Sequence, residues 1–156
     1  MEFKNVLMVV TDLPRSVEFY QKYLGLNVEL DLGANVTLTG GISLQTRDSW
    51  LEFVQKPAEL LRFGGNDAEL YFETEDFDGF LDTLEGVRLV APVIEHRWGQ
   101  RVVRLYDPDD HIIEVGEPLQ VVCRRFLESG LTQEGIARRM DVPLELVEKW
   151  LPDRER

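Results

Sequence analysis

The chain has 156 residues, of which 44% are apolar, 10% aromatic and 29% charged. That length and balance fit one packed domain and exclude both a disordered chain and a second full domain beside it. The formal net charge is −12, and the first 119 residues carry all of it; so acidic a surface excludes a polyanion-binding face there and argues against nucleic acid as a partner. No apolar run approaches the roughly twenty residues of a bilayer helix, and no basic segment followed by an apolar stretch opens the chain, so a cytoplasmic protein without membrane contact is expected.

Residues 3–11 alternate around Val and Leu and read as a strand. Asp12 and Pro14 then introduce an amphipathic run at 16–24, the signature of a capped helix that Gly25 stops. Three short β-type runs follow at 26–30, 35–38 and 42–46, separated by glycines. The same order recurs as a strand at 69–74, a helix at 76–84 and strands at 87–90, 100–106 and 111–115.

The expectation is an α+β domain over residues 1–118, made of two tandem βαβββ modules at 1–46 and 67–117 with a linker at 47–66. Their curved mixed sheet would enclose a cavity. Four polar residues fall at repeat-equivalent places: Asn5 and Glu69 each lie seven residues before a helix-opening Asp, and Gln45 and Glu114 each lie four after a turn residue. Alternation along a strand puts Glu69, Tyr71 and Glu73 on one face.

The segment at 95–101 gathers His96, Trp98, Gln100 and Arg101. One reading sets Trp98 against a planar ligand, with Gln100 and Arg101 donating hydrogen bonds to it and His96 exchanging a proton. The other has Trp98 packing at a sheet edge while Arg101 and Arg104 pair with carboxylates. The run Asp107, Pro108, Asp109, Asp110 is a turn in which Asp takes the left-handed conformation, and His111 beside it is expected to be exposed and inert. The linker is too apolar for solvent; it forms either a short helix on the sheet or a lid with Trp50 facing the cavity.

The single cysteine, Cys123, reads as a small buried hydrophobe in an apolar run. The tail at 119–156 reads as a helical hairpin, 131–139 and 142–150, around a tight turn. Its pattern is that of a helix-turn-helix, but Glu145 and Glu148 stand where a DNA reader offers basic or amide groups, and no third supporting helix is evident.

The runs Val9-Val10-Thr11-Asp12-Leu13-Pro14-Arg15-Ser16, Phe19-Tyr20, Leu24-Gly25-Leu26, Trp98-Gly99-Gln100-Arg101 and Asp107-Pro108-Asp109-Asp110-His111, closing on Glu114, resemble the vicinal oxygen chelate superfamily. That superfamily includes glyoxalase I, extradiol dioxygenases, fosfomycin-resistance enzymes and bleomycin-resistance proteins. The resemblance implies a homodimer and a small molecule bound between modules, and it leaves open whether modules pair within a chain or exchange between chains.

It further implies a divalent ion (Mn²⁺, Mg²⁺, Ni²⁺, Zn²⁺ or Fe²⁺) on Asn5, Gln45, Glu69 and Glu114, though neither position that most often carries His does so here. Two carboxylates and two amides form a hard oxygen set. The alternative for Glu69 and Glu114 is hydrogen bonding to Arg101, Arg104 or a ligand.

Three functions follow. In an enzyme (a lyase, isomerase or dioxygenase), Glu114 and Glu69 would move a proton and Gln45, Trp50, Tyr71, His96, Trp98, Gln100 and Arg101 would surround the substrate. A metal-free binding or resistance protein would sequester a planar, cationic ligand in an acidic aromatic pocket. A ligand-responsive regulator would act through the tail.

Overall fold

A computed structural model describes residues 1–151. Strand β1 (Val6–Val10) leads through Asp12 into helix α1 (Leu13–Leu24). The Asp12 side chain accepts from the Arg15 N–H at 3.0 Å, and Gly25 at φ +66° ends the helix. Strands β2 (Val28–Asp31), β3 (Asn35–Leu38) and β4 (Ile42–Thr46) complete a sheet of order β1-β4-β3-β2. Strand β1 is parallel to β4, and the other pairs are antiparallel.

The apolar side of this sheet buries Val10, Val36, Leu38, Ile42 and Leu44, and Tyr20 of α1 is fully buried. Asn5 differs from expectation: β1 starts one residue after it, and Asn5 is exposed ahead of the ladder. Helix α2 (Arg47–Val54) and a 3-10 turn (Ala58–Leu60) fill the linker. Helix α2 packs on β4 and β1, with Trp50 partly buried on it.

The second module repeats the topology. Strand β5 (Glu69–Glu73), helix α3 (Phe77–Asp82) and strands β6 (Leu89–Glu95), β7 (Arg101–Tyr106) and β8 (Ile112–Gly116) give the order β5-β8-β7-β6. Strand β6 runs through Pro92, which an edge strand accommodates because one side of its ladder is unpaired.

The tail has three helices: α4 (Leu119–Glu128), α5 (Gln133–Met140) and α6 (Leu144–Trp150). The first supplies the support that the sequence did not reveal. Val122 and Cys123 of α4, Ile136, Ala137 and Met140 of α5, and Val147 of α6 share one buried cluster. Cys123 is fully buried, and burial pushes its thiol up to about 11.

The chain divides into two compact units. One comprises residues 1–68 with 106–112; the other comprises 69–105 with 113–151 and so includes the tail.

Within the first unit, Asp107 and Asp109 of the turn before β8 are buried acceptors for their surroundings. Asp107 accepts from the Tyr20 hydroxyl at 3.0 Å and from the N–H groups of Asp109 and His111 at 2.9 Å. Asp109 accepts from the Thr11 N–H at 3.1 Å and the Thr11 hydroxyl at 2.5 Å. Burial and these two carboxylates push the Tyr20 phenol upward.

Asp110 takes φ +68°, the left-handed position expected of the turn. His111 corrects the expectation of an inert exposed side chain. Its Nδ1 lies 2.8 Å from Asp107 Oδ2, and its ring meets Phe63 edge-on at 5.9 Å.

Candidate functional site

In the first unit the register pairs Val9 with Gln45 and Asn35 with Gln45, so the sheet face away from the apolar side carries Asn35, Thr37, Ser43 and Gln45. These groups satisfy one another. Gln45 Oε1 accepts from Asn35 at 3.2 Å, Gln45 Nε2 donates to Ser49 Oγ at 3.1 Å, and Thr37 and Ser43 hydroxyls lie 3.2 Å apart. Gln45 is buried, and Ser49, in the first turn of α2, also donates to the Thr46 carbonyl. Trp50 follows Ser49 on α2 and is partly buried.

In the second unit, alternation along β5 sets Glu69, Tyr71 and Glu73 on the exposed face. Arg104 of β7 joins two of the predicted residues: its Nε donates to Glu69 Oε2 at 3.0 Å, and its Nη2 pairs with Glu114 Oε2. Glu114 is 6% exposed, so the guanidinium supplies charge compensation that water cannot.

Beside this triad runs a directed chain of hydrogen bonds. The Trp98 indole N–H donates to Gln100 Oε1 at 3.0 Å, Gln100 Nε2 donates to Tyr71 Oη at 2.9 Å, and the Tyr71 hydroxyl donates to Glu73 Oε1 at 2.9 Å. An indole can only donate, which fixes the orientation of the Gln100 amide and hence what it offers to Tyr71. Gln100 also donates to the Glu117 carbonyl at 2.8 Å and is 7% exposed, whereas Tyr71 is 49% exposed. A Cβ at Gly116 would lie 3.2 Å from Gln100 Nε2 and 3.4 Å from Tyr71 Oη, so glycine leaves room for their bond. Burial and the bond to Glu73 push the Tyr71 phenol upward against the opposing effect of Gln100.

His96 stacks on Trp98 with ring centroids 4.3 Å apart, and Trp98 also packs against the tail cluster. The indole is thus a support behind Gln100. Arg101 lies in a separate ion-pair group: it bonds Glu117 Oε1 at 3.1 and 2.9 Å and Asp78 Oδ1 at 2.8 Å, with its guanidinium over the Phe77 ring. Those bonds push the Arg101 guanidinium upward.

Burial pushes Glu117 up, but the hydrogen bonds from Arg101 and the charge of Arg125 outweigh it and hold Glu117 below the ordinary carboxylate range. Sequence reasoning passed over Glu117 because it follows β8 with no spacing signal. Glu73 was legible through alternation with Tyr71.

The donors present do not fit a divalent metal. Glu69 and Glu114 share Arg104, Gln45 Oε1 is engaged by Asn35, and Asn5 stands ahead of its strand. Among the described residues no three His, Cys, Asp or Glu side chains gather as a metal-binding group.

An α+β fold of two like-wound modules, each with one polar sheet face, defines a class. Residues 3–120 match the family described as a glyoxalase-like domain, and the chain belongs to that family, within the vicinal oxygen chelate superfamily. YraH of Bacillus subtilis (strain 168), an uncharacterized protein, is 29% identical over 124 residues, 74% of this chain and 97% of its own. The crystal structure of a protein of unknown function from Agrobacterium tumefaciens str. C58 is 36% identical, with TM-score 0.68, covering 76% of this chain and 94% of that one. A glyoxalase/bleomycin resistance protein/dioxygenase from Nocardioides shares the fold at 20% identity and TM-score 0.62, covering 75% of this chain and 83% of its own. The family match ends at residue 120, so nearly all of the tail lies beyond it.

Proposed function

We propose that the protein is a metal-free small-molecule binder of the glyoxalase/bleomycin-resistance type, taking a planar, cationic ligand on the open face of its second module. The observation that carries this reading is the Tyr71–Glu73 pair, a half-exposed phenol and an exposed carboxylate held from behind by buried Gln100. A planar cation gains ring contact from Tyr71 and charge from Glu73. Three carboxylates (Glu69, Glu73 and Glu114) against the one guanidinium of Arg104 leave the face negative. Glu69 and Glu114 serve here by holding Arg104 rather than by moving protons. No helix among the described residues is long and apolar enough to cross a membrane, and the acidic Glu145 and Glu148 of α6 weigh against nucleic acid.

Proflavine, a planar cation, tests the reading by fluorescence titration. Saturable binding that weakens roughly tenfold in Glu73→Gln and in Tyr71→Leu, about 1.4 kcal/mol each, is the expected result. Affinity unchanged in both variants would remove this face as the site. A homodimer belongs to the same proposal, supported by the exposed Val28 and Leu30 on β2 and Val93 and Ile94 on β6; light scattering at monomer mass would exclude it.

A further inference from the structure

The three tail helices hold the hairpin that carries the ligand-side hydrogen-bond chain. Phe126 of α4 presses on Gly99, where a Cβ would meet the ring at 2.2 Å and where φ is +90°. A side chain at position 99 is therefore barred by both space and backbone conformation. Arg125 donates to the Gly99 carbonyl and bonds Glu117 Oε2 at 3.0 Å, which ties the hairpin to the end of β8.

Arg139 of α5 donates to the Arg97 carbonyl and pairs with Glu95 at 3.5 Å, while Arg97 reaches Asp141 at 3.4 Å. Two guanidiniums flank the Phe126 ring, Arg125 at 5.4 Å and Arg139 at 5.2 Å. Every residue from 95 to 100 thus either touches the tail or supports one that does. Trp98 sits at the junction, packed on the tail cluster while its N–H orients Gln100, which in turn holds Tyr71.

We infer that the C-terminal helices are a positioning element of the ligand face, with Phe126 and Arg125 as positioning residues that keep Trp98 and Gln100 aligned on the Tyr71 hydroxyl. The inference rests on the reading of that face as the ligand site, but its geometry can be tested without any ligand. The charges across the junction are complementary: Arg125 and Arg139 of the tail face Glu95, and Asp141 faces Arg97.

The tyrosinate absorbance titration, with Tyr71→Phe assigning the Tyr71 contribution, reads the alignment directly. Gln100 favours the phenolate by donating to Oη, so its withdrawal moves the Tyr71 transition to higher pH. Phe126→Leu is expected to move that transition upward as Gln100→Leu does, and the double variant to move it no further than Gln100→Leu alone. Arg125→Gln gives the same comparison should Phe126→Leu not fold.

A tail that merely stabilises the protein would lower the melting temperature in Phe126→Leu and leave the Tyr71 transition at its original pH, which overturns the inference. In the proflavine titration, weakening of roughly threefold to tenfold in Phe126→Leu carries the alignment through to binding. If the Tyr71 transition moves but proflavine affinity is unchanged in Gln100→Leu, the ligand-face reading fails and the positioning role toward a ligand fails with it, while the alignment itself stands.

Discussion

The two modules share a strand order, yet their polar faces differ in kind. In the first, Asn35, Thr37, Ser43 and Gln45 are neutral and bond one another, with Gln45 finding a further partner in Ser49. In the second, Glu69, Glu114 and Arg104 form a charged triad, and the Trp98–Gln100–Tyr71 chain ends on exposed Glu73. The modules are alike where packing decides, on the apolar side of each sheet, and differ on the polar side. A face whose polar groups are mutually satisfied has little to offer a ligand, whereas one that ends in a half-exposed phenol and a carboxylate does.

The largest effect that would break this contrast comes from Arg104→Met. It leaves Glu114 buried without its cation, and denaturant unfolding should show a loss of about 3–5 kcal/mol. A loss under about 1 kcal/mol would mean that the triad does not depend on its arginine.

Next is Glu117→Gln, which faces both Arg101 and Arg125 and should cost about 2–4 kcal/mol at neutral pH. The sign of its pH dependence follows from its lowered folded value. The unfolded chain binds the proton at higher pH, so this stability is present above the ordinary carboxylate range and is lost as pH falls through the lowered value. Unfolding measured across acid pH should show a shallower acid decline in Glu117→Gln than in the parent; an unchanged slope would rule out the linkage.

Gln45→Leu, on the neutral face, should cost only about 1–2 kcal/mol in the same assay, because neutral hydrogen bonds are lost and no charge is stranded. Smallest is Glu69→Gln: its side chain is 38% exposed, and a change within about 1 kcal/mol is expected. If the two faces responded alike, the distinction between them would collapse.

The repeat was legible because alternation, the Asp-led helix starts and the separating glycines are local signals, and the structure places the strands near the expected runs except β6, which runs over 89–95 where 87–90 was expected. Asn5 falls ahead of its strand because its equivalence to Glu69 came from counting back from a helix, and counting does not say where a ladder begins. Helix α4 was missed although Leu119, Val122, Cys123 and Phe126 are helically spaced, because Val121, Val122 and Cys123 read as one apolar run.

At the proposed site, Tyr71, Trp98 and Gln100 were singled out by their chemistry. Their order along one hydrogen-bond chain could not be found that way, since it depends on pairing between β5, β7 and the hairpin at 95–100. Arg104 appeared among several candidate partners for the carboxylates, and only the sheet singles it out over Arg101, which lies with Glu117 and Asp78.

The central claim is that the second module's face binds its ligand through Tyr71 and Glu73 without a metal, the charge of Glu69 and Glu114 being met by Arg104. Proflavine titration into chelator-treated protein, repeated with added Mn²⁺, tests it most directly. The account predicts saturable binding of one dye per chain with the same affinity in both conditions. Binding that appears only when Mn²⁺ is added would contradict it.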